Sequence, residues 1–276
     1  MIPVHSRFFG VEPRLHYLEW NPERRTTLVM MHGNSASAWW WEPVATALGA
    51  EFRLLALDLR GHGESGWVRP PAYHPEDYAR DLAAMLAECD APAPLVVGHS
   101  MGGLCALAFA DLFPDRVRGL VIVDAALTSS RARDHFLRRL RGLPVVTYPD
   151  LATAKARFRL MPNEGDIASA LLDSIAGRSL APTADGRWTL RFDRESFFGG
   201  DGLDPMAVLG RLRIPVLLIR GERSRIMTAE AGARALETNP TVELRTIAGA
   251  YHHLLLERPA ELAREIAAFA RRCPAP

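Results

Sequence analysis

Residues 95–103 read Leu-Val-Val-Gly-His-Ser-Met-Gly-Gly, and this stretch indicates the fold more strongly than any other part of the chain. Its apolar, β-branched start predicts a buried strand, and residues 104–110 continue as an apolar helix. Ser100 is therefore expected in a sharp strand-to-helix turn, with its hydroxyl held out of the sheet. Gly98 and Gly102 let the strand and helix backbones approach closely. The turn makes Ser100 a candidate nucleophile.

The composition suits one folded domain with a full core. The chain has 276 residues, of which 48% are hydrophobic and 24% charged, and its formal net charge is +1. This balance indicates neither a nucleic-acid-binding nor a membrane-binding surface. The first residues do not resemble a secretion signal, and no stretch approaches the ~18 uninterrupted apolar residues of a membrane span. A cytoplasmic protein is the expectation.

Strand-like and helix-like segments alternate along most of the chain, which predicts an α/β fold. The predicted strands are mostly apolar throughout, as expected of a parallel sheet that is covered on both faces. They fall at 15–19, 27–32, 52–57, 94–99, 118–124, 214–220 and 242–247. The helical patterns between them fall at 37–49, 75–89, 101–112, 227–238 and 258–272.

The alternation is interrupted between about 126 and 206. Short helical patterns occur there at 131–141, 151–160 and 166–176, with an extended piece at 185–193. We expect a core made of residues 1–125 and 207–276. Residues 126–206 are expected to form a helical cap, or lid, over the carboxyl ends of the strands, where open α/β sheets bind ligands. The arginines of 131–141 form either a solvated helix face or a contact for an anionic substrate.

A serine nucleophile needs a general base, and His252 is the histidine best placed to supply it. Residues 247–253 follow the last predicted strand directly, so their loop begins at the same edge of the sheet as Ser100. His253 is expected to pack beside the base.

No metal or other cofactor is predicted. Cys89, Cys105 and Cys273 have no short spacing, and no Cys/His cluster has the spacing of metal ligands. Neighbouring residues at a tight turn point in different directions, so His99 is not expected to act on the serine. His16 is expected at the surface, and Cys273 in a frayed tail.

Two backbone N–H groups are candidates to stabilise an oxyanion. Gly33 allows a sharp turn after the strand at 27–32, so that the N–H of Asn34 faces Ser100. The N–H of Met101 begins the helix that follows the serine. Two such donors form the oxyanion hole of an acyl-transfer enzyme.

Together these motifs resemble the α/β-hydrolase fold family over nearly the whole chain. The matching stretches are His32-Gly33-Asn34, Asp58-Leu-Arg-Gly-His-Gly-Glu-Ser65, Gly98-His-Ser-Met-Gly-Gly103, and His252 shortly before Glu257-Arg258-Pro259. The resemblance implies a mostly parallel, eight-stranded-type sheet flanked by helices. It also implies hydrolysis through an acyl-enzyme on Ser100.

The acid of the catalytic triad departs from the family pattern. Its usual position, three residues past the glycine that ends the strand at 214–220, is Ser224, which carries no charge. Some members of the family, haloalkane dehalogenases among them, take the acid from the end of the strand after the nucleophile helix, which here is Asp124. Glu222 is the alternative acid, and a site without an acid is the third possibility.

The expected activity is a carboxylesterase-like hydrolysis of an ester of a mostly apolar small molecule, with no nucleic-acid or membrane partner. Trp39 and Trp40 are candidate substrate contacts, although aromatic packing under the cap explains either one equally well. Hydrolysis of a lactone, a thioester or an activated C–C bond, and acyl transfer, would use the same residues. A non-catalytic, ligand-binding member of the fold is the alternative from another class, because Ser224 replaces the usual acid.

Overall fold

The computed structural model describes residues 3–128, 130–197 and 203–273. Its strands are β1 (Val4–Phe9), β2 (Leu15–Trp20), β3 (Thr27–Met31), β4 (Arg53–Leu57), β5 (Leu95–His99), β6 (Gly119–Val123), β7 (Leu180–Pro182), β8 (Trp188–Leu190), β9 (Val216–Gly221) and β10 (Val242–Ile247). Its α-helices are α1 (Glu42–Leu48), α2 (Pro75–Glu88), α3 (Met101–Leu112), α4 (Arg131–Arg141), α5 (Leu151–Arg157), α6 (Ser169–Arg178), α7 (Pro205–Arg211), α8 (Ala229–Thr238), α9 (Leu254–Glu257) and α10 (Pro259–Arg272). Short 3₁₀ helices cover Ala38–Trp41, Pro114–Arg116 and Arg194–Ser196. Among the helices so described, none is long and apolar enough to cross a membrane.

Eight strands form one sheet in the order β1-β2-β4-β3-β5-β6-β9-β10. β2 runs antiparallel to both of its neighbours, and the other adjacent pairs are parallel. The chain passes from β4 back across β3 to reach β5, so the strand order reverses between β3 and β5. Open α/β sheets bind ligands at the carboxyl ends of the strands beside such a reversal.

Helices bury both faces of the sheet, which explains the continuous apolar runs of its central strands. α2, α3, α7 and α8 pack on one face, and α1, α9 and α10 pack on the other. Alternate residues of one strand enter the two layers: Val29 and Met31 lie in the first, and Leu28 and Met30 in the second.

The predicted α/β class and the mostly parallel sheet are confirmed, and each of the seven predicted strands occurs close to its predicted bounds. The sequence pattern missed β1, because four of its six residues are exposed and its apolar residues do not alternate with polar ones. It also missed α7 and α9, which are too short to show a helical period.

The segment predicted as the cap, residues 126–206, adds no strand to the large sheet within its described part. It contains α4, α5, α6 and the two-stranded sheet of β7 and β8. α7 packs against α3 and begins at Pro205, so the boundary drawn at 206 falls in the first turn of that helix.

The loop after β4 contacts the cap segment through main-chain and ring contacts. The N–H of Gly63 donates to the carbonyl of Arg191 at 3.0 Å. The buried ring of His62 stacks on Phe192 with the ring centroids 6.0 Å apart, and His62 Nδ1 donates to the carbonyl of Arg60 at 3.1 Å. The loop after β4 therefore holds one side of the cap segment through the Gly63 hydrogen bond and the ring of His62.

Acidification is expected to weaken folding through His62. Burial, assisted by the neighbouring His32, lowers the pKa of His62 from 6.5 to about 3. Between these two values the unfolded chain binds a proton that the folded chain excludes, so the free energy of unfolding falls as the pH falls from 6.5 to about 3. In His62→Phe the slope of the free energy of unfolding against pH should be smaller by up to ~1.4 kcal/mol per pH unit, which is the value for one proton. Urea titrations of both proteins across this range measure the difference, and equal slopes would contradict the assignment.

Candidate active site

Ser100 lies between the last residue of β5 and the first residue of α3. Its backbone dihedrals, φ 54° and ψ −119°, fall in a region that residues with a side chain rarely adopt. The N–H of Ser100 donates to the carbonyl of Val123 at 2.9 Å, which ties the turn to the end of β6. The strained turn places the serine at the carboxyl edge of the sheet, beside the reversal in strand order.

Two glycines allow the backbones around Ser100 to approach closely. A Cβ on Gly98 would lie 2.3 Å from the carbonyl oxygen of Gly102, and a Cβ on Gly102 would lie 2.3 Å from the carbonyl oxygen of Met31. Both distances are far below van der Waals contact, and both partners are main-chain atoms. α3 therefore reaches β3 and β5 only with glycine at these positions.

Gly102→Ala is expected to destabilise the protein, whereas Gly177→Ala is expected to be neutral or mildly stabilising. Overpacking a tight core costs ~1–3 kcal/mol, and here the backbone itself would have to move. Gly177 lies in α6, where an added Cβ meets only the end of the Lys155 side chain at 3.9 Å. Alanine is favoured over glycine in a helix by ~0.5–1 kcal/mol. Chemical denaturation of the two variants tests this contrast, and equal stabilities would refute the steric argument.

The imidazole of His252 connects Ser100 to Asp124. His252 Nε2 lies 3.1 Å from Ser100 Oγ, and its Nδ1 lies 2.7 Å from Asp124 Oδ2. A carboxylate accepts hydrogen bonds, so Nδ1–H donates to Asp124 and Nε2 presents its lone pair to the serine hydroxyl. His252 is 3% exposed and Asp124 is 0% exposed, so the hydrogen bond between them is shielded from water, whereas Ser100 is partly exposed in the cavity.

Asp124 directly follows β6, the strand next to β5, and its φ of 47° is also unusual for a residue with a side chain. Its carboxylate accepts two hydrogen bonds besides that of the histidine. The hydroxyl of Ser224 donates to Oδ2, and the N–H of Gly221 donates to Oδ1 at 3.3 Å. Ser224, at the position usual for the acid, is thus a donor to the carboxylate at the end of the neighbouring strand.

The alternative acid, Glu222, has a different partner. Its side chain is exposed, and Oε2 accepts the N–H of Gly249 at 2.8 Å. The geometry therefore favours Asp124 over Glu222 as the partner of His252.

Asn34 and Met101, whose main-chain N–H groups are the candidate oxyanion donors, line the same cavity as Ser100. Asn34 follows β3, and Met101 is the first residue of α3. Within the described residues, neither N–H is paired with an acceptor. These two unpaired donors follow the ends of β3 and β5, the strands between which the strand order reverses. Their positions fit the arrangement of an oxyanion hole.

A cavity of ≈ 300 Å³ opens beside Ser100, and most of its lining is apolar. The segment between β6 and α7 contributes Ala126, Arg133, Phe136, Leu137, Met161, Pro162 and Phe197 to that lining. Arg133 is the one lining residue with a formal charge in the described part of the chain, and its guanidinium donates to the carbonyl of Thr128 at 3.0 Å. The cavity is therefore suited to a mostly apolar ligand.

The three consecutive tryptophans have three different environments. Trp40 lines the cavity. Trp39 is absent from the described lining, and the guanidinium of Arg178 lies 3.5 Å from its ring centroid. Trp41 is fully buried in the core. The structure thus brings Trp40 to the site and leaves Trp39 outside it.

Two further histidines lie beside His252. His99 Nε2 donates to the carbonyl of His252 at 3.0 Å, and His253 Nε2 donates to the carbonyl of Pro162 at 2.9 Å. Burial lowers the pKa of His253 to about 3 and holds the pKa of His99 well below its usual value, so both rings are neutral. Sequence reasoning set His99 aside because neighbouring residues at a tight turn point in different directions. Its contact with a loop 153 residues later has no local signal in the sequence.

Two predictions about single residues are wrong. His16 was expected at the surface, but it is 1% exposed and its Nδ1 lies 2.7 Å from Asp58 Oδ2. The reason is β1, which covers the edge of β2 and buries the whole of that strand. Cys273 was expected in a frayed tail, but it is 8% exposed and lies beside Gly119, because α10 packs on the sheet to its last turn.

Comparisons with known proteins agree with this architecture. A family model for the alpha/beta hydrolase fold matches residues 26–259. The 2-(acetamidomethylene)succinate hydrolase of Mesorhizobium japonicum is 26% identical over 82% of this chain and 81% of its own length. An esterase of Mycobacterium tuberculosis is 30% identical over 73% of this chain and 67% of its own length. A crystal structure of E-2-(acetamidomethylene)succinate hydrolase covers 98% of this chain and 100% of its own, with a TM-score of 0.83 and 23% identity.

The chain belongs to the α/β hydrolase fold family. Its relatives are named as hydrolases and esterases, and this protein is a hydrolase.

Proposed function

We propose that this protein is a carboxylesterase-like serine hydrolase that cleaves an ester of a mostly apolar small molecule through an acyl-enzyme on Ser100. The observation that carries the proposal is the series of hydrogen bonds from Ser100 through His252 to Asp124, beside a mostly apolar cavity of ≈ 300 Å³. The relatives that are named esterases support an ester as the substrate class.

The first half of the proposed reaction forms the acyl-enzyme. Ser100 Oγ attacks the carbonyl carbon of the ester, while Nε2 of His252 takes the hydroxyl proton. The carbonyl oxygen becomes an oxyanion, which the N–H groups of Asn34 and Met101 stabilise. Loss of one such donor costs about two to three powers of ten in rate in another serine hydrolase. The intermediate then expels the alcohol, which receives the proton from His252.

The second half releases the acid. Water attacks the acyl carbon while His252 takes one of its protons, and the new intermediate expels Ser100 Oγ, which is reprotonated by the imidazolium. Throughout, Asp124 keeps Nδ1 of His252 protonated and correctly oriented, and it stabilises the imidazolium that forms twice in the cycle.

Alternative reactions use the same residues. Lactones, thioesters and activated C–C bonds also present a carbonyl carbon to Ser100, and an alcohol in place of water would give acyl transfer. The non-catalytic alternative rested on the missing acid at Ser224. It is disfavoured because Asp124 supplies a carboxylate to the same imidazole.

A series of aryl esters with acyl chains of increasing length tests the proposed substrate class. We expect acid-quenched protein to carry the mass of the acyl group on Ser100. We also expect kcat/KM to rise about fourfold per added methylene, from ~0.8 kcal/mol per buried CH₂, until the cavity is filled. Steady-state kinetics and intact-mass measurement provide the two readouts. If no ester yields either turnover or an acyl adduct, the proposed function is wrong.

A further inference from the structure

His99, His252 and His253 bring three imidazoles together in the wall of the catalytic cavity. One ring nitrogen from each residue lies within 4.8 Å of those of the other two. The ring centroid of His252 lies 4.7 Å from that of His99 and 4.9 Å from that of His253. The proposed reaction uses only His252, so it accounts for neither of the other two rings.

Hydrogen bonds determine which nitrogen of each ring carries the proton. Because His99 and His253 each donate from Nε2 to a main-chain carbonyl, Nδ1 of each neutral ring holds a lone pair. Both Nδ1 atoms are buried and have no hydrogen-bond partner among the described residues. Nε2 of His252 holds a third lone pair, directed to the hydroxyl of Ser100. Buried polar atoms without a partner are uncommon in proteins.

Neutral imidazole is the form of histidine that coordinates a metal ion. In His99 and His253, Nε2 donates to a main-chain carbonyl, so Nδ1 is the nitrogen left to coordinate an ion. Three imidazole nitrogens are a familiar ligand set for zinc, which then keeps a fourth position open to solvent. The cluster thus combines three nitrogen lone pairs on three residues that line the cavity.

We propose that His99, His252 and His253 form a binding site for zinc or a similar divalent transition-metal ion, and that occupancy inhibits the enzyme reversibly. The inhibition rests on the proposed function, because coordination of His252 Nε2 removes the lone pair that accepts the proton of Ser100. Tetrahedral coordination at ~2.0–2.1 Å places ligand nitrogens roughly 3.3 Å apart. One nitrogen of each ring now lies within 4.8 Å of those of the other two, and the ring centroids of His99 and His253 are 6.1 Å apart, so the three side chains must close around the ion. The Ser100–His252 hydrogen bond is then given up.

The ligand set also predicts which cations bind. Imidazole nitrogen suits Zn²⁺, Cu²⁺ and Ni²⁺, whereas Mg²⁺ and Ca²⁺ prefer oxygen ligands. Mg²⁺ at the same concentration is therefore the matched control for charge and ionic strength.

Calorimetric titration of untagged Ser100→Ala with ZnCl₂ measures binding independently of catalysis. We expect one Zn²⁺ per chain, no binding of Mg²⁺, and at least tenfold weaker zinc binding when His253→Phe is added. The electronic absorption of bound Co²⁺ reports nitrogen coordination in the unsubstituted protein and does not depend on any variant folding. A lack of saturable zinc binding, or an affinity unchanged by His253→Phe, would overturn the site.

Inhibition is measured on the unsubstituted enzyme. We expect Zn²⁺ to slow both aryl-ester turnover and fluorophosphonate labelling of Ser100 at least tenfold, with full recovery after EDTA. Zinc binding without any loss of labelling would overturn the inhibitory role. If the metal-free enzyme turns over no ester, the proposed function fails, while the titration of Ser100→Ala still decides whether the metal site exists.

Discussion

Ser100→Ala is expected to lower kcat for an activated aryl ester by about six powers of ten, the scale found when a serine protease loses its nucleophile. The physical reason is that no other oxygen nucleophile is within hydrogen-bond distance of His252 Nε2 in the described residues. Alanine occupies the same strained backbone as serine and removes only the hydroxyl, so the free energy of unfolding should change little. Release of the aryl alcohol and intact mass after fluorophosphonate treatment measure the effect.

Ser169→Ala is the matched control for this substitution. Ser169 begins α6, is exposed and does not line the cavity. The control should keep the turnover of the unsubstituted enzyme and take up one fluorophosphonate, whereas Ser100→Ala should take up none. Substantial turnover in Ser100→Ala would exclude the acyl-enzyme mechanism on this residue.

Asp124→Asn is expected to lower kcat by about four powers of ten, as the equivalent change does in the serine-protease triad. An amide no longer enforces protonation of His252 at Nδ1, so Nε2 loses the lone pair that accepts the serine proton. Glu222→Gln should have little effect, because the Glu222 carboxylate is exposed and bonded to the N–H of Gly249. kcat for the same aryl ester ranks the two variants, and the reverse ranking would transfer the role of the acid to Glu222.

Exchange of the two bonded side chains gives a sharper test of the acid. The hydroxyl of Ser224 is in hydrogen-bond contact with the Asp124 oxygen that His252 uses, so a carboxylate at position 224 would lie near the same imidazole. The double substitution Asp124→Ser with Ser224→Asp should be at least tenfold more active than Asp124→Ser alone. Equal activities would show that position 224 cannot support the histidine.

Much of the fold was predictable because its signals are local. The apolar runs of the parallel strands and the glycines around Ser100 are readable in short windows, since each reflects burial or backbone approach within a few residues. β1 was not readable, because pairing with β2 leaves most of its side chains exposed. The same gap led to the wrong prediction for His16.

Site residues were predictable only where their position at the end of a strand determines which edge of the sheet they lie at. Ser100 and His252 follow strand ends, so their general location could be inferred. Asp124 and Glu222 lie at the ends of adjacent strands, and only side-chain orientation distinguishes which of them faces the imidazole. The different environments of Trp39 and Trp40, like the meeting of His99 with His253, depend on packing across the molecule.

The bond between Ser224 and Asp124 has a consequence for how related sequences are classified. A search pattern that requires an acidic residue three positions after the glycine ending β9 would place this chain among inactive relatives, although a carboxylate contacts its histidine from β6. Adjacent strand ends offer two positions for one carboxylate. If a carboxylate at position 224 supports the histidine, two substitutions are enough for the acid to change strand during evolution, while the serine, the histidine and the sheet between them stay in place.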